Sequence, residues 1–448
     1  MSLRVAKVLV FILKSVAPVA SATLLWKLYA YLSGRQNTFL WNRSSKLATL
    51  FNMLIAGETV FVIYCAHLKA VGQKKFDKVD MFSKQQRESL FKKCLDTVPQ
   101  PEMFAQAWLR DFPFSEIRRG NVEEWLSWGF FVNHFNSLKS DEKEEIDNYI
   151  DQLQQRAGKE ILDGHNGLIK PFRFNMEPVE SSHRPLVYYG IVHGVVQRVI
   201  APMSLMYLGF QSRQKSTNSF NYWYRAVDHP EDTPLVFIHG IGIGVLPYVH
   251  FLHRLIQASK PRNILVIELG QIAQQLNPCA LEHESFCQDL CEVFKKLNMG
   301  PARFIGHSYG TFIVSWVMKY CPQLVESAVF LDPGCFLLHF TKCLKAIIYK
   351  DAMTEAEKLF QYFLRSELNF NNHCRRHFLW YRNILFFDEI KCKAVVIISD
   401  QDDIMPVDEI REYHKDHDSI ELIELEHTPH GGFLYMPHHL DLVVSKSI

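Results

Sequence analysis

The chain carries almost no net charge: 49 Lys and Arg stand against 48 Asp and Glu over 448 residues, a formal +1. Such a balance offers no broad electropositive face, so nucleic acid is not an expected partner. A C-x-x-C pair is missing too, as is any Cys/His spacing of a zinc site. The ten cysteines are scattered from Cys65 to Cys392 and read as buried thiols of a reducing compartment rather than a disulfide framework. The pairs His373/His377 and His414/His417 lack a third ligand, and no metal is expected. What the chain does have is apolar bulk, 48% of residues with 13% aromatic, enough to fill a large core. Its length suggests one main domain with additions.

Residues 1–80 read as a membrane-anchoring region with candidate helices at 4–32 and 47–68. The stretch Arg4–Leu32 is apolar but interrupted by Lys7, Lys14 and Pro18, with Lys27 near its end. Three readings compete: a signal peptide ending near Ala20-Ser21-Ala22, an amphipathic helix lying on a membrane, or a transmembrane span. Leu47–Leu68 is clearer, because it has the length of a bilayer crossing and Glu58 as its only formal charge. It is read as a membrane helix, against the alternative of a buried soluble helix that Asn52 and Glu58 would suit. Basic residues flank both stretches, including Arg4, Lys7, Lys27, Arg35, Arg43, Lys46, Lys69, Lys74, Lys75 and Lys78. They favour a cytoplasmic main domain only slightly, on an endomembrane such as the endoplasmic reticulum. The sequon Asn42-Arg43-Ser44 adds little.

Residues 81–162 read as a helical module. Pro101 opens one helix, and Asn121 with Glu124 three residues on resembles a capping box at the start of another. Trp108, Trp125 and Trp128 are core or contact residues, and Asp141–Glu145 a solvated first turn. Residues 163–219 read as a linker, polar from Asp163 to His183, followed by Arg184-Pro185-Leu186 and an apolar helix through Leu208 that is a further candidate for membrane contact.

From Phe220 the pattern turns to strands alternating with helices. Phe220–Ala226, Pro234–His239, Asn263–Leu269, Ala302–His307, Ser327–Asp332, Ala394–Ser399 and Ser419–Leu425 read as strands. Their spacing predicts an α/β fold, a doubly wound and mostly parallel sheet with helices on both faces and a site at the carboxyl ends of its strands. Between Gly334 and Ile390 the alternation breaks into an aromatic-rich insertion with no strand period.

The chemistry concentrates on Gly306-His307-Ser308-Tyr309-Gly310, where an apolar strand runs straight into G-x-S-x-G and then a helix. This is the pattern of a nucleophile elbow, whose glycines tolerate the sharp turn that lifts Ser308 out of the sheet. A serine needs a base to take its proton, and the base needs an acid to hold its tautomer. Asp402, four residues before Pro406, and His430, in His430-Gly431-Gly432-Phe433, follow later strands in the order Ser, Asp, His. Asp400, Asp403 and Asp332 are alternative acids, and His427 competes as base. Backbone N–H groups of Tyr309 and of Ile241, after His239-Gly240, would hold an oxyanion. His239 reads as a loop-shaping residue and His307 as packing behind the nucleophile.

With these motifs in this order, the chain from about Phe220 to its end resembles the α/β-hydrolase superfamily, of AB-hydrolase-1 type. The resemblance implies a Ser/Asp/His triad of Ser308, Asp402 and His430, no cofactor, and a helical lid between the sixth and seventh strands, where 334–390 falls. It also implies that Asp332 occupies an acid position that some relatives use. Ser399 departs from the glycine common there. The N-terminal half resembles membrane-associated members of fungal and protist type. The expectation is a membrane-anchored serine hydrolase cleaving carboxylic, acyl-lipid esters through an acyl-enzyme. Acyl transfer, thioester hydrolysis and a non-catalytic lipid-binding scaffold of the same fold stand as alternatives. No protein partner is indicated.

Overall fold

The computed structural model describes residues 3–33, 46–74, 81–275 and 280–448. Arg35, Arg43, Lys75, Lys78, Cys279 and the sequon at Asn42 lie outside the described residues. Eight strands form one sheet: β1 (Gln214–Lys215), β2 (Asn221–Arg225), β3 (Leu235–Ile238), β4 (Ile264–Glu268), β5 (Ala302–His307), β6 (Val325–Leu331), β7 (Lys393–Ser399) and β8 (Glu421–Leu425). Their order is β1-β2-β4-β3-β5-β6-β7-β8. β2 runs antiparallel to β1 and β4, and all other neighbours are parallel. β3 and β4 are buried at every residue, as strands covered on both faces must be.

Alternation along the strands feeds two cores. Val236 and Ile238 pack with helices His283–Lys296 and Gly310–Tyr320, while Leu235 and Phe237 pack with Val249–Ala258 and Pro437–Ser447. The sheet starts earlier than the expected boundary at Phe220, because β1 spans two residues and two residues show no period.

Residues 84–157 form the helices Lys84–Asp96, Pro101–Trp108, Arg119–Phe131 and Ser140–Ala157. Pro101 sits at the first helical position, its missing N–H costing nothing there. Asn121 is not the cap the sequence suggested. The helix begins at Arg119, and the Asn121 side chain is buried, accepting from the Arg118 N–H at 3.2 Å and donating to the Asn166 carbonyl at 3.0 Å. Trp108, Trp125 and Tyr149 from these helices share one hydrophobic cluster with Phe304 and Phe330 of the sheet. The segment after them has neither helix nor strand up to Pro185, yet Ile169, Phe172, Phe174 and Val179 are buried. Arg376 secures it, donating to the Asn175 and Glu177 carbonyls at 3.0 and 2.8 Å.

The helices Leu3–Leu32 and Lys46–Gly72 pack against each other, and both are long and apolar enough to cross a membrane. Phe11, Leu25, Trp26, Met53 and Leu54 are exposed on them. Glu58, the single acid of the second helix, is buried. Its carboxylate accepts from the Leu186 N–H at 2.7 Å and meets His183 Nε2 at 2.7 Å. It thereby satisfies an orphan donor at the start of the helical run 186–207. On that run Val187, Ile191, Val195, Val199 and Met203 recur every four residues and are all exposed.

Between β6 and β7 the insertion folds as short helices: Thr341–Leu344 running into Lys345–Tyr349, Glu355–Phe360 running into Gln361–Arg365, then Leu368–Arg376 and Trp380–Asn383.

Candidate active site

Ser308 follows β5 directly, with a φ of 52°. A β-carbon on Gly306 would lie 2.8 Å from the Gly310 carbonyl oxygen, and one on Gly310 would run into the Ile238 carbonyl, so both flanking positions require glycine. The Ser308 N–H is tied to the Leu331 carbonyl at 2.9 Å, which fixes the turn after β5 against the end of β6.

Asp402 and His430 arrive from the loops after β7 and β8. Asp402 Oδ1 accepts the N–H groups of Ile404 and Met405 at 2.8 and 3.0 Å, and Oδ2 lies 2.6 Å from His430 Nδ1. A carboxylate only accepts, so His430 carries its proton on Nδ1 and leaves Nε2 to receive the Ser308 hydroxyl, 2.9 Å away. Burial pushes the His430 pKa down, but the hydrogen bond and charge of Asp402 outweigh it and hold the imidazole above its ordinary value.

The alternative acids and base fall elsewhere. Asp332 accepts the Ser399 N–H at 3.0 Å and the Gly431 N–H at 2.7 Å, and stands 3.7 Å from His307 Nε2. Burial works to raise its pKa, but the neighbouring His307 and His430 and the Gly431 N–H keep it below the usual carboxylate range. Asp400 accepts the Thr428 N–H of the loop after β8 at 2.8 Å, Asp403 pairs with Lys350 of the insertion at 3.0 Å, and His427 is exposed. The donor atoms of Asp332, Asp402 and His430 lie within 4.8 Å of one another, a spacing a metal ion could use. Each of the four carboxylate oxygens already accepts an N–H, so the group is built as a hydrogen-bonded set.

The loop after β3 is braced. His239 accepts the Leu269 N–H on Nε2 at 3.0 Å and donates from Nδ1 to the Gly240 carbonyl at 2.7 Å; burial pushes its pKa down and keeps it neutral. Tyr248 accepts the Gly240 N–H at 3.0 Å and reaches His307 Nδ1 at 2.8 Å, which places His307 behind the elbow. Among the described residues the N–H groups of Ile241 and Tyr309 have no hydrogen-bond partner, and both residues line the cavity onto which Ser308 opens. Two unpaired donors beside a serine hydroxyl are what an anion forming there would need.

That cavity measures about 60 Å³, and its walls are apolar apart from Ser308 and the tips of a few side chains. Phe312, Leu338, Ile347, Phe370 and Phe378 are among its apolar walls. Trp108 from the helical segment and Phe174 from the expected linker close it, a role no pattern in their sequence signals. Tyr309 also ties the elbow to the insertion, its hydroxyl 2.6 Å from His373 Nε2.

The strand order, the elbow after β5 and the helical insertion after β6 together define an α/β-hydrolase fold. No family model matches the chain. A Haemophilus influenzae protein provisionally named an esterase/lipase is 28% identical over 113 residues, 25% of this chain and 38% of that protein. The match thus spans little more than a third of that relative. Among solved structures, a carboxylesterase of the thaumarchaeon Nitrososphaera gargenis is 18% identical, covering 53% of this chain and 100% of its own, with a TM-score of 0.39. Carboxylesterase CesB of Bacillus subtilis is 12% identical over 57% of this chain and 97% of its own, TM-score 0.41. A bacterial membrane phospholipase A is 14% identical over 58% and 94%, TM-score 0.40. The fold assignment rests on the topology and elbow of this chain, not on these scores.

Proposed function

We propose that the chain is a membrane-anchored serine hydrolase that cleaves carboxylic esters of acyl lipids through an acyl-enzyme. The observation that carries the reading is one imidazole, His430, held 2.6 Å from Asp402 on one side and 2.9 Å from Ser308 on the other. In this reading His430 Nε2 takes the Ser308 proton as Oγ attacks the ester carbonyl carbon, and Asp402 stabilises the imidazolium. The tetrahedral oxyanion accepts from the N–H groups of Ile241 and Tyr309, each donor of this kind contributing about 3 kcal/mol. Collapse expels the alcohol, which takes the proton from His430. Water, deprotonated by the same ring, then releases the acid and restores Ser308.

The acyl-lipid assignment is supported by the apolar walls of the cavity and by the two apolar N-terminal helices. The main domain is assigned to the cytoplasmic side, a compartment in which the nine free cysteines among the described residues would stay reduced.

Fluorophosphonate labelling of the full-length protein in membranes tests the reading. Wild type should label, Ser308→Ala and His430→Ala should not, and Asp402→Asn should label more slowly by about 10³-fold or more. A folded wild-type protein that stays unlabelled would overturn the enzyme assignment and favour a lipid-binding scaffold instead.

A further inference from the structure

A second, larger cavity of about 520 Å³ backs onto the walls of the Ser308 cavity, and its chemistry is the opposite. Six cations line it, Lys14, Arg110, Lys350, Lys358, Arg365 and Arg375, against the three carboxylates of Glu177, Glu180 and Asp351. The two cavities share their partition. Helix Leu368–Arg376 gives Phe370 and Cys374 to the apolar side and, one residue on in each case, Asn371 and Arg375 to the polar side. A four-residue spacing puts each pair on its own face of the helix. In the insertion, Ile347 lines the apolar cavity, Ile348 lines both, and Tyr349 and Lys350 line the polar one.

The cations of this cavity are incompletely satisfied by the protein. Arg365 and Arg375 are buried, and the Nε of each has no partner among the described residues. Arg375 Nη1 is 3.0 Å from Glu177 Oε2, an oxygen it shares with the Tyr349 hydroxyl at 2.6 Å. Arg365 Nη1 meets only backbone oxygens, those of Ala346 and Lys350. Lys358 donates to the neutral Gln361 side chain at 3.2 Å, and Lys14 lies over the Tyr362 ring, 5.9 Å from its centroid. Buried guanidinium groups with spare N–H donors match the geometry of phosphate oxygens. Lys350 is already paired with Glu357 and Asp403 at 2.6 and 3.0 Å, so the donors left for a phosphate ester are those of Arg365, Arg375, Lys358 and Lys14, and the cations exceed the carboxylates that face them by one.

Resting on the hydrolase reading above, we infer that the substrate is an acyl ester with a phosphate-bearing headgroup. With the insertion moved so that the apolar cavity of about 60 Å³ widens and joins the polar one, its chain would lie on the apolar side, its ester carbonyl at Ser308, and its phosphate among Lys14, Arg365 and Arg375. Val10 and Lys14 of the first apolar helix belong to the wall, so the headgroup site stands beside the helix that meets the membrane.

The test compares three substrates of one acyl chain with full-length protein in dodecyl maltoside: 1-oleoylglycerol 3-phosphate, 1-oleoylglycerol and 1-oleoylglycerophosphocholine. Cleavage of the phosphate monoester should be favoured about tenfold or more in kcat/KM, mainly through KM. In Lys14→Gln/Lys358→Gln, and separately in Arg375→Gln, the phosphate-to-neutral ratio should fall toward one, the neutral substrate serving as reference within each variant. Equal rates on all three in wild type would overturn the headgroup inference while leaving the hydrolase standing. Should no ester be cleaved and no fluorophosphonate label appear, the hydrolase reading fails, and binding decides the cavity separately. Dodecyl phosphate should then change tryptophan emission saturably, since Trp108 and Trp380 line the apolar cavity, and do so weakly in the variants. Absence of saturable binding, or inorganic phosphate binding as tightly as dodecyl phosphate, would sink the lipid assignment.

Discussion

Asp402 and Asp332 are both buried carboxylates near His430, and their hydrogen bonds give them different work. Asp402 faces Nδ1 of the ring, whereas Asp332 faces the backbone N–H of the next residue, Gly431, and so holds the loop rather than the base. The spacing to Pro406 pointed to Asp402 in the sequence. The task of Asp332 was not legible there, because it depends on how the loop after β8 folds back over β6. The electrostatics give a pH dependence with a definite sign. Attack requires neutral His430, and Asp402 stabilises the protonated form, raising the pKa from its ordinary 6.5. The acid limb of kcat/KM should therefore sit above that value, with activity falling as the ring protonates. Replacing Asp402 by Asn removes the charge, so the residual activity should show its acid limb displaced to lower pH, alongside a kcat loss of about 10³–10⁴. A pH profile with an unmoved limb in Asp402→Asn would mean that Asp402 does not set the titration of His430.

Helix Lys46–Gly72 reads in sequence as a bilayer span spoiled by one acid, and the structure gives that acid a partner inside the protein. Glu58 ties the middle of the helix to His183 and Leu186, while Gln73 pairs with both backbone groups of Val179 and Gly72 accepts from Arg376 at 2.8 Å. One face of the helix after Glu58 is thus docked on the insertion and on the segment leading into the helical run 186–207. Glu58→Leu separates docking from simple lipid exposure. A lipid-facing acid would be removed at a gain, but here the change strands a helix-start N–H and a half-buried imidazole, at a cost of about 2–4 kcal/mol. Thermal unfolding of the full chain in detergent should show a lower midpoint, and an unchanged or higher one would return the helix to the lipid. The elements themselves were legible to different degrees. Apolar runs such as Leu235–Ile238 announce a buried strand, and the elbow announces its own turn. β1 is too short for any period, and Trp108 and Phe174 reveal the cavity they close only once the chain has folded over the sheet.

Taken whole, the molecule presents a problem of access and carries the parts to solve it. A cavity of about 60 Å³ admits no acyl ester, since sites for molecules of that size run to about 300 Å³ or more, so the insertion must move for turnover. The exposed apolar row Val187, Ile191, Val195, Val199 and Met203 lies on a helical run joined to that insertion. Tyr189 donates to Glu367 at 2.6 Å, and the Tyr188 ring stacks on Phe363 with centroids 5.3 Å apart. Glu367 in turn caps helix Leu368–Arg376, accepting the Phe370 N–H at 2.7 Å, and Phe370 is a cavity wall. A membrane surface that draws the row into lipid therefore pulls on the wall of the site, and a bias of about 1.4 kcal/mol toward the open state is enough for roughly tenfold more turnover. Adding phosphatidylcholine vesicles should raise hydrolysis of a water-soluble short-chain ester by wild type to about this extent, because the effect lies in the protein and not in delivery of substrate. Val195→Asp with Met203→Asp puts two carboxylates into the row without touching Ser308, and should abolish the stimulation even where the two N-terminal helices keep the protein on the vesicles. Equal stimulation of wild type and the double variant would disconnect the row from the insertion, leaving opening to thermal motion of the lid alone.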